Sequence, residues 1–311
     1  MPQSSVHFDI NHSVMKRLLF SLLISFSFLI SFSQKNNQKL QSQLEQAIKG
    51  FNGDIGIYLK NLRTGKTIAI NADTVFPTAS IVKVPILLGV MDKIEKGNLH
   101  YDSAHVYRDS LLYEGEDILG SFKDGEKILL KKVIMLMLTT SDNTASLWLQ
   151  KLADTGTRIN EILDSSGFIN TRVNSRTPGR EINRSIYGWG QTTPKEIGTL
   201  FEIIYRNKIF SPVACENMMR FLSRNYWDEQ ALSQIPPYIQ VFSKHGSVDE
   251  VRSEVLLVNA PNNPYIFCIF TKNNKDTSWK YDNEAWKLAR KTSKLVWDYF
   301  EPKDKWESAK N

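Results

Sequence analysis

The chain has few cysteines, since only Cys215 and Cys268 occur among its 311 residues. No Cys or His spacing is typical of metal ligands, which argues against a metal-held fold or a redox motif. Cys268 lies within a run that has a strand pattern. Two buried, unpaired thiols are therefore the favoured interpretation, and a disulfide is the alternative. We expect no metal and no cofactor.

The chain also lacks a strong excess of charge. Its formal net charge is +6, and its basic residues are spread along the sequence without interleaved aromatic residues. This distribution makes nucleic acid a poor candidate for a partner. A mild positive charge is compatible with small anionic substrates but does not select them.

No apolar run reaches the ~20 residues of a typical membrane-spanning helix. The run Leu18–Phe32 is shorter, follows Lys16 and Arg17, and ends in small residues. These features predict a signal peptide over residues 1–33, of which 1–14 is an upstream extension. An uncleaved membrane anchor is the alternative. We expect a periplasmic or secreted bacterial protein without stable membrane insertion.

The periodicity of the remaining sequence predicts a mixed α/β (α+β) architecture. The predicted elements are a helix over 37–51, strands over 55–59 and 67–71, a helical block over 80–204, strands over 240–243, 254–259 and 265–271, and a helix over 283–300. The chain leaves the sheet and later returns to it. We therefore expect an α/β lobe from 34–77 and 205–311, a helical lobe from 78–204, and a ligand cleft between them.

Three short motifs occur in a fixed order: Ser80-Ile81-Val82-Lys83, Ser141-Asp142-Asn143 and Lys244-His245-Gly246. Each is common alone, but their first residues are separated by 61 and 103 residues, a much more specific pattern. Ser80 can start a helix, where free backbone N–H groups surround its hydroxyl. Lys83 follows one turn later on the same side and can accept the serine proton if burial or a second cation lowers its pKa.

These motifs are the serine, second-serine and lysine signatures of class A β-lactamases and penicillin-binding proteins. The chain resembles the class A β-lactamase family from about Gln38 to Phe300. The resemblance implies a two-lobed β-lactamase/transpeptidase-like fold, with an antiparallel five-stranded sheet flanked by helices and a helical lobe. It also implies a β-lactam or a peptidoglycan peptide as the ligand of a monomer, an acyl-enzyme on Ser80, and proton relay through Ser141.

A further set of residues is expected to bind the substrate. The resemblance implies that Asn143 holds the substrate amide, while Asp142 ties its loop together through backbone hydrogen bonds. Lys244 is expected to be the second cation beside Lys83. His245 departs from the usual Ser or Thr, and an imidazole there predicts a pH dependence near its ordinary pKa of about 6.5.

The backbone after Lys244 is expected to serve the reacting carbonyl. The N–H groups of Ser80 and of Ser247, just after Gly246, are the predicted oxyanion donors. Gly246 fits a need for close approach of the backbone to the ligand. Arg252 on the next strand is either an additional carboxylate clamp or an ordinary surface cation, and the sequence favours neither.

The loop over 172–193 departs most from the family pattern, which has a water-activating glutamate four residues before an asparagine. Aligned on Asn183, that glutamate position falls on Gly179, and counted without gaps it falls on Thr177. Glu181 has either been recruited as the base, or the base is absent. Three functions remain open: a β-lactamase, a D,D-peptidase-like enzyme with slow deacylation, and a non-catalytic binder of cell-wall fragments.

Overall fold

The computed structural model describes residues 38–113 and 117–308. The predicted signal peptide lies outside these residues. No helix within the described ranges is long and apolar enough to cross a membrane. The division into two lobes at residues 78 and 205 stays a prediction.

The described residues form ten strands and nine α-helices. The strands are β1 Asp54–Asn61, β2 Thr67–Ile70, β3 Phe76–Pro77, β4 Ala104–Val106, β5 Lys127–Leu129, β6 Arg172–Val173, β7 Gly190–Thr192, β8 Val241–Val248, β9 Val251–Val258 and β10 Tyr265–Lys272. The helices are α1 38–48, α2 Lys83–Glu95, α3 Leu130–Met135, α4 Asn143–Leu152, α5 Thr155–Ser165, α6 Glu181–Tyr187, α7 Pro194–Tyr205, α8 Pro212–Leu222 and α9 Glu284–Phe300.

The main sheet has the strand order β2-β1-β10-β9-β8, with every pair antiparallel. This confirms the five-stranded antiparallel sheet. Strand β8 is an edge strand and carries the third motif in its middle, because the strand continues to Val248 instead of ending at Lys244-His245-Gly246. One side of the motif is therefore paired with β9, and the other side borders the cleft.

Helices cover both faces of the sheet. One face packs with α2, α7 and α8 in a large core that includes Tyr58, Cys268 and Phe270. The other face packs on α1 and α9, whose Leu40 and Val296 are buried. Because both faces are buried, β10 and the second half of β9, from Val255 to Val258, are apolar on both sides, which explains their nearly continuous hydrophobic runs.

The segment predicted as a helical block also contains short strands. Strands β4 and β5 pair with each other, and β7 pairs with both β3 and β6. Runs of two or three residues are too short to leave a period-two signal. Cys215 and Cys268 are both buried and free, as the sequence favoured.

Candidate active site

The first motif lies where a 3₁₀ turn, Ala79–Val82, joins α2. The backbone of β8 lies directly against this turn. A Cβ atom at Gly246 would come within 2.4 Å of the Thr78 carbonyl oxygen and 2.9 Å of the Ser80 nitrogen. Only glycine permits this approach, so Gly246 brings the backbone of β8 beside the Ser80 N–H group.

Lys83 is completely buried and contacts polar groups of both of the first two motifs. Its Nζ lies 2.9 Å from Ser80 Oγ, 3.0 Å from Ser141 Oγ and 2.8 Å from Asn143 Oδ1, and it also contacts the Ser141 carbonyl oxygen at 2.5 Å. A protonated amine has three N–H groups and can fully satisfy at most three of these four neighbours. A neutral amine can instead accept a hydrogen bond from Ser80.

Electrostatics favour the neutral amine. Burial, and secondarily the nearby Lys244 cation, hold the pKa of Lys83 well below its ordinary value, while Asp142 opposes the shift. An amine whose pKa is lowered in this way is a competent proton acceptor near neutral pH. The first motif therefore brings together a hydroxyl and a base at hydrogen-bonding distance.

Ser141 connects the two lysines. It ends the π-helical turn Leu136–Thr140 in a left-handed conformation, with φ +63°. Its Oγ lies 3.0 Å from Lys83 Nζ and 3.1 Å from Lys244 Nζ. A hydroxyl both donates and accepts hydrogen bonds, so Ser141 can pass a proton in either direction. Its unusual backbone conformation is consistent with a constrained functional position.

Asp142 holds this loop, as the sequence predicted. One carboxylate oxygen caps α4 by accepting from the Ala145 N–H, at 2.7 Å. The other accepts from the N–H groups of Ile118 and Leu119, each at 2.8 Å. Three backbone donors thus fix the start of α4, which places Asn143 Oδ1 on Lys83.

Lys244 is completely buried and reaches the same site from β8. Besides Ser141 Oγ, its Nζ contacts the carbonyl oxygen of His245 at 3.0 Å. Burial lowers the pKa of Lys244 to about 7, although Glu254 opposes the shift. Its positive charge is therefore lost as pH rises through neutrality.

His245 differs electrostatically from the sequence-based prediction. Burial, followed by the Lys244 and Lys83 cations, holds the pKa of its imidazole well below 6.5. The ring is neutral near pH 7, and a pH dependence near its ordinary pKa is not expected. Within the described part of the chain its Nδ1 has no hydrogen-bond partner, and the ring lies edge-on to Trp227 at 6.1 Å.

Arg252 is engaged in structural contacts. Its Nη1 donates to the carbonyl oxygens of Asp249 and Val251, at 2.8 and 2.9 Å, and its Nη2 donates to those of Thr277 and Ser278. The guanidinium also lies beside the indole rings of Trp279 and Trp286, 4.5 and 4.9 Å from their centroids. These contacts occupy the N–H groups that a carboxylate clamp would use, and the side chain is only 3% exposed, so it is not a surface cation either.

Glu181 starts α6 at the surface, and its carboxylate accepts a hydrogen bond from the Gly179 N–H at 3.1 Å. The described residues that line the cleft do not include it. Gly179 has φ +77° and no side chain. Thr177 is buried and donates to the Ser175 carbonyl oxygen. None of the three positions weighed for the base brings a carboxylate into the cleft.

A cavity of about 410 Å³ opens beside Ser80. Ser141, Asn143, His245 and Ser247 also line it. Trp227, which the sequence analysis missed, bridges the two walls, since its Nε1 donates to the Thr140 carbonyl oxygen at 3.0 Å while its ring contacts His245. The adjacent aromatic pair Tyr226-Trp227 in a polar segment was the only available signal.

Comparisons with known proteins agree with this geometry. The family model described as "Beta-lactamase enzyme family" matches residues 39–300. The beta-lactamase VEB-1 of Pseudomonas aeruginosa is 26% identical over 301 residues, which cover 92% of this chain and 98% of that protein. A PBP-A variant solved as an acyl-enzyme complex with penicillin G superposes with a TM-score of 0.75 at 24% identity, covering 85% and 97% of the two chains. A beta-lactamase from Chitinophaga pinensis gives 0.75 at 18% identity, covering 84% and 98%. At these identities the two structures bear on the fold alone.

Proposed function

The chain belongs to the beta-lactamase enzyme family, and from this premise we propose that it hydrolyses β-lactams through an acyl-enzyme on Ser80. The observation that carries the proposal is the position of Ser141 Oγ, within 3.1 Å of both buried lysines. One of these lysines also contacts Ser80 Oγ. Nucleophile, base and relay form one continuous chain of hydrogen bonds.

The proposed acylation begins when Lys83 accepts the Ser80 proton. Ser80 Oγ then attacks the lactam carbonyl carbon, and the N–H groups of Ser80 and Ser247 stabilise the negative charge that develops on its oxygen. The C–N bond of the lactam breaks, and the ring nitrogen receives a proton from Ser141. Lys83 returns its proton to Ser141, which leaves an ester on Ser80. Water then hydrolyses the ester.

The direct test combines intact-protein mass spectrometry with a coloured cephalosporin assay on the same preparation. We expect a covalent adduct with the mass of one penicillin, located on the peptide that contains Ser80. A binding protein without turnover would give neither an adduct nor a colour change. Hydrolysis without any adduct on that peptide would contradict the mechanism.

We also propose that the Lys244 cation binds the carboxylate of the substrate, and a pH profile tests this contact. The cation exists below its pKa of about 7 and is lost above it. We therefore expect kcat/KM for a carboxylated penicillin to fall above pH 7, by up to about tenfold per pH unit. Lys244→Arg should remove this falling limb because guanidinium remains protonated. The methyl ester of the same penicillin should show no fall. A flat wild-type profile would contradict the assignment.

Deacylation is the step on which the two enzymatic candidates differ. The exposed position of Glu181 and the glycine at 179 favour slow deacylation. We therefore propose a β-lactamase whose turnover is limited by hydrolysis of the acyl-enzyme, whereas a D,D-peptidase-like enzyme would release almost no product. We expect wild-type protein to accumulate acyl-enzyme, and Glu181→Gln to change the lifetime of the adduct less than about twofold. A time course by mass spectrometry measures both. A clearly longer lifetime in Glu181→Gln would identify Glu181 as the base.

The same proposal includes export directed by residues 1–33 and action as a monomer. It also includes the division into an α/β lobe, formed by residues 34–77 and 205–311, and a helical lobe, formed by residues 78–204, with the cleft between the two lobes.

A further inference from the structure

The cavity beside Ser80 continues around the edge of the sheet. On one side it is lined by Ser80, Ser141 and Asn143, and on the other by Ile269, Ala285 and Ala289. Because β8 is the edge strand, a single cavity can reach both faces of the sheet. The second part of this cavity, lined by Ile269 and by residues of α9, is here called the rear pocket.

The register of the strands explains how the two parts are connected. Lys244 and Gly246 point to the face of β8 that contacts the Ser80 turn. His245 pairs with Glu254, which pairs with Ile269, so these three side chains lie on the opposite face. Lys244 and Gly246 of β8 thus face the catalytic groups, whereas His245 between them faces the rear pocket.

Two small residues leave space in the rear pocket. Ala285 and Ala289 are one helical turn apart on α9 and are only 2% and 7% exposed. Leucine or phenylalanine is the usual residue where a helix packs on an apolar sheet face, and either would fill this volume. Instead, the cavity extends to the surface of α9.

Two indole rings also line the cavity. Trp279 and Trp286 lie with their ring centroids 5.8 Å apart at an angle of 68°. The guanidinium of Arg252 lies 4.5 Å from the first centroid and 4.9 Å from the second. Since four backbone carbonyl oxygens hold Arg252 in place, it fixes both rings and leaves the wall preorganised for a planar group.

The charge of the lining limits what can bind. The carboxylate side chains of Glu229 and Glu254 line the cavity near Trp227 and Tyr281. Arg252 contributes a positive charge to the same lining, and the Arg290 guanidinium lies 3.8 Å from the centroid of the Tyr281 ring. Burial raises the pKa of Glu254 to about 7. Charges of both signs therefore border the aromatic rings of the cavity, and an uncharged ring, which needs no counter-charge, is favoured over a charged one.

We propose that the rear pocket is a subsite for an uncharged planar aromatic or heteroaromatic substituent of the β-lactam, attached beside the ring carboxylate. The inference rests on the proposed function, because the carboxylate end of a substrate on Ser80 would lie at Lys244 and His245. The rear pocket begins at that point. A cephalosporin substituent at C3, next to the carboxylate, has the required direction.

The test measures binding without turnover, in a Ser80→Ala background. Two cephalosporins with the same acyl side chain are compared by titration calorimetry, one with a C3 methyl group and one with an uncharged C3 (phenylthio)methyl group. We expect the second to have a Kd about tenfold lower. Ala289→Leu fills the rear pocket, and Trp279→Ala removes one wall at an exposed position. Each should abolish the difference between the two compounds.

A matched control, Lys291→Leu, adds a leucine at an exposed position of α9 and should preserve the tenfold difference. Circular dichroism and thermal unfolding establish that each variant is folded. Equal Kd values for the two compounds in Ser80→Ala, or a difference that survives both pocket substitutions, would overturn the subsite and leave the proposed function standing. Failure of both compounds to bind would overturn the proposed function as well.

Discussion

Ser80→Ala is expected to abolish the covalent penicillin adduct completely and to reduce hydrolysis of a coloured cephalosporin to the buffer rate. The substitution removes the only atom that would form the ester. Ser80 is half-buried in a short 3₁₀ turn that makes no side-chain cap, so its hydroxyl contributes little to the fold. Intact-protein mass spectrometry after incubation with excess penicillin measures the result.

Ser243→Ala provides the matched control on the other side of the cleft. Ser243 is buried on β8 directly before Lys244, and its Oγ accepts a hydrogen bond from Asn225. This variant should lose some stability, of order 1 kcal/mol, and keep the adduct. An adduct that persists on another peptide of Ser80→Ala would show that the nucleophile lies elsewhere.

The parts of the molecule that sequence predicts well are local. Lys83 follows Ser80 by one turn, and the contact between them depends only on helical geometry. The apolar runs in β9 and β10 and the periodicity of the final helix α9 are also strong signals. In each case the pattern extends over many residues, and the structure confirms the element within a few residues.

The errors concern contacts between distant segments. Arg252 was considered as a carboxylate clamp or a surface cation because its neighbours in sequence are small or polar. In the fold it lies beside both Trp279 and Trp286, which are 27 and 34 positions later in the chain. The residues next to Arg252 in the sequence give no indication of these contacts. The same holds for the position of Glu181, which depends on the whole path of the loop before α6.

The charge state of the site also depends on tertiary structure. The sequence shows two lysines and a histidine, but only burial lowers the pKa of Lys244 to about 7 and keeps His245 neutral. The consequence is a site that holds fewer positive charges near neutral pH than its residues suggest. With Lys83 neutral, Lys244 is the cation that would attract the substrate carboxylate, and Lys83 stays free to accept the Ser80 proton.

Lys83→Met is expected to reduce the acylation rate by about 10²–10⁴-fold while the protein remains folded. Methionine has a similar length and suits a fully buried position, but it cannot accept the Ser80 proton. Removing an amine whose pKa is strongly depressed also removes a destabilising term. That term is largest at low pH and shrinks as pH approaches the ordinary lysine value, because the unfolded chain binds the extra proton. Stopped-flow measurement with a fluorescent penicillin gives the rate.

Lys93→Met is the matched control for this substitution. Lys93 lies on the same helix and pairs with Asp154 away from the cleft, so its replacement should leave acylation within about twofold of wild type. Lys83→Arg separates charge from base function, since it keeps a cation that cannot lose its proton near neutral pH, and it should be as slow as Lys83→Met. Near-normal acylation in a folded Lys83→Met protein would show that another group removes the Ser80 proton. The most direct alternative would then be Lys244 acting through Ser141, whose Oγ it contacts at 3.1 Å.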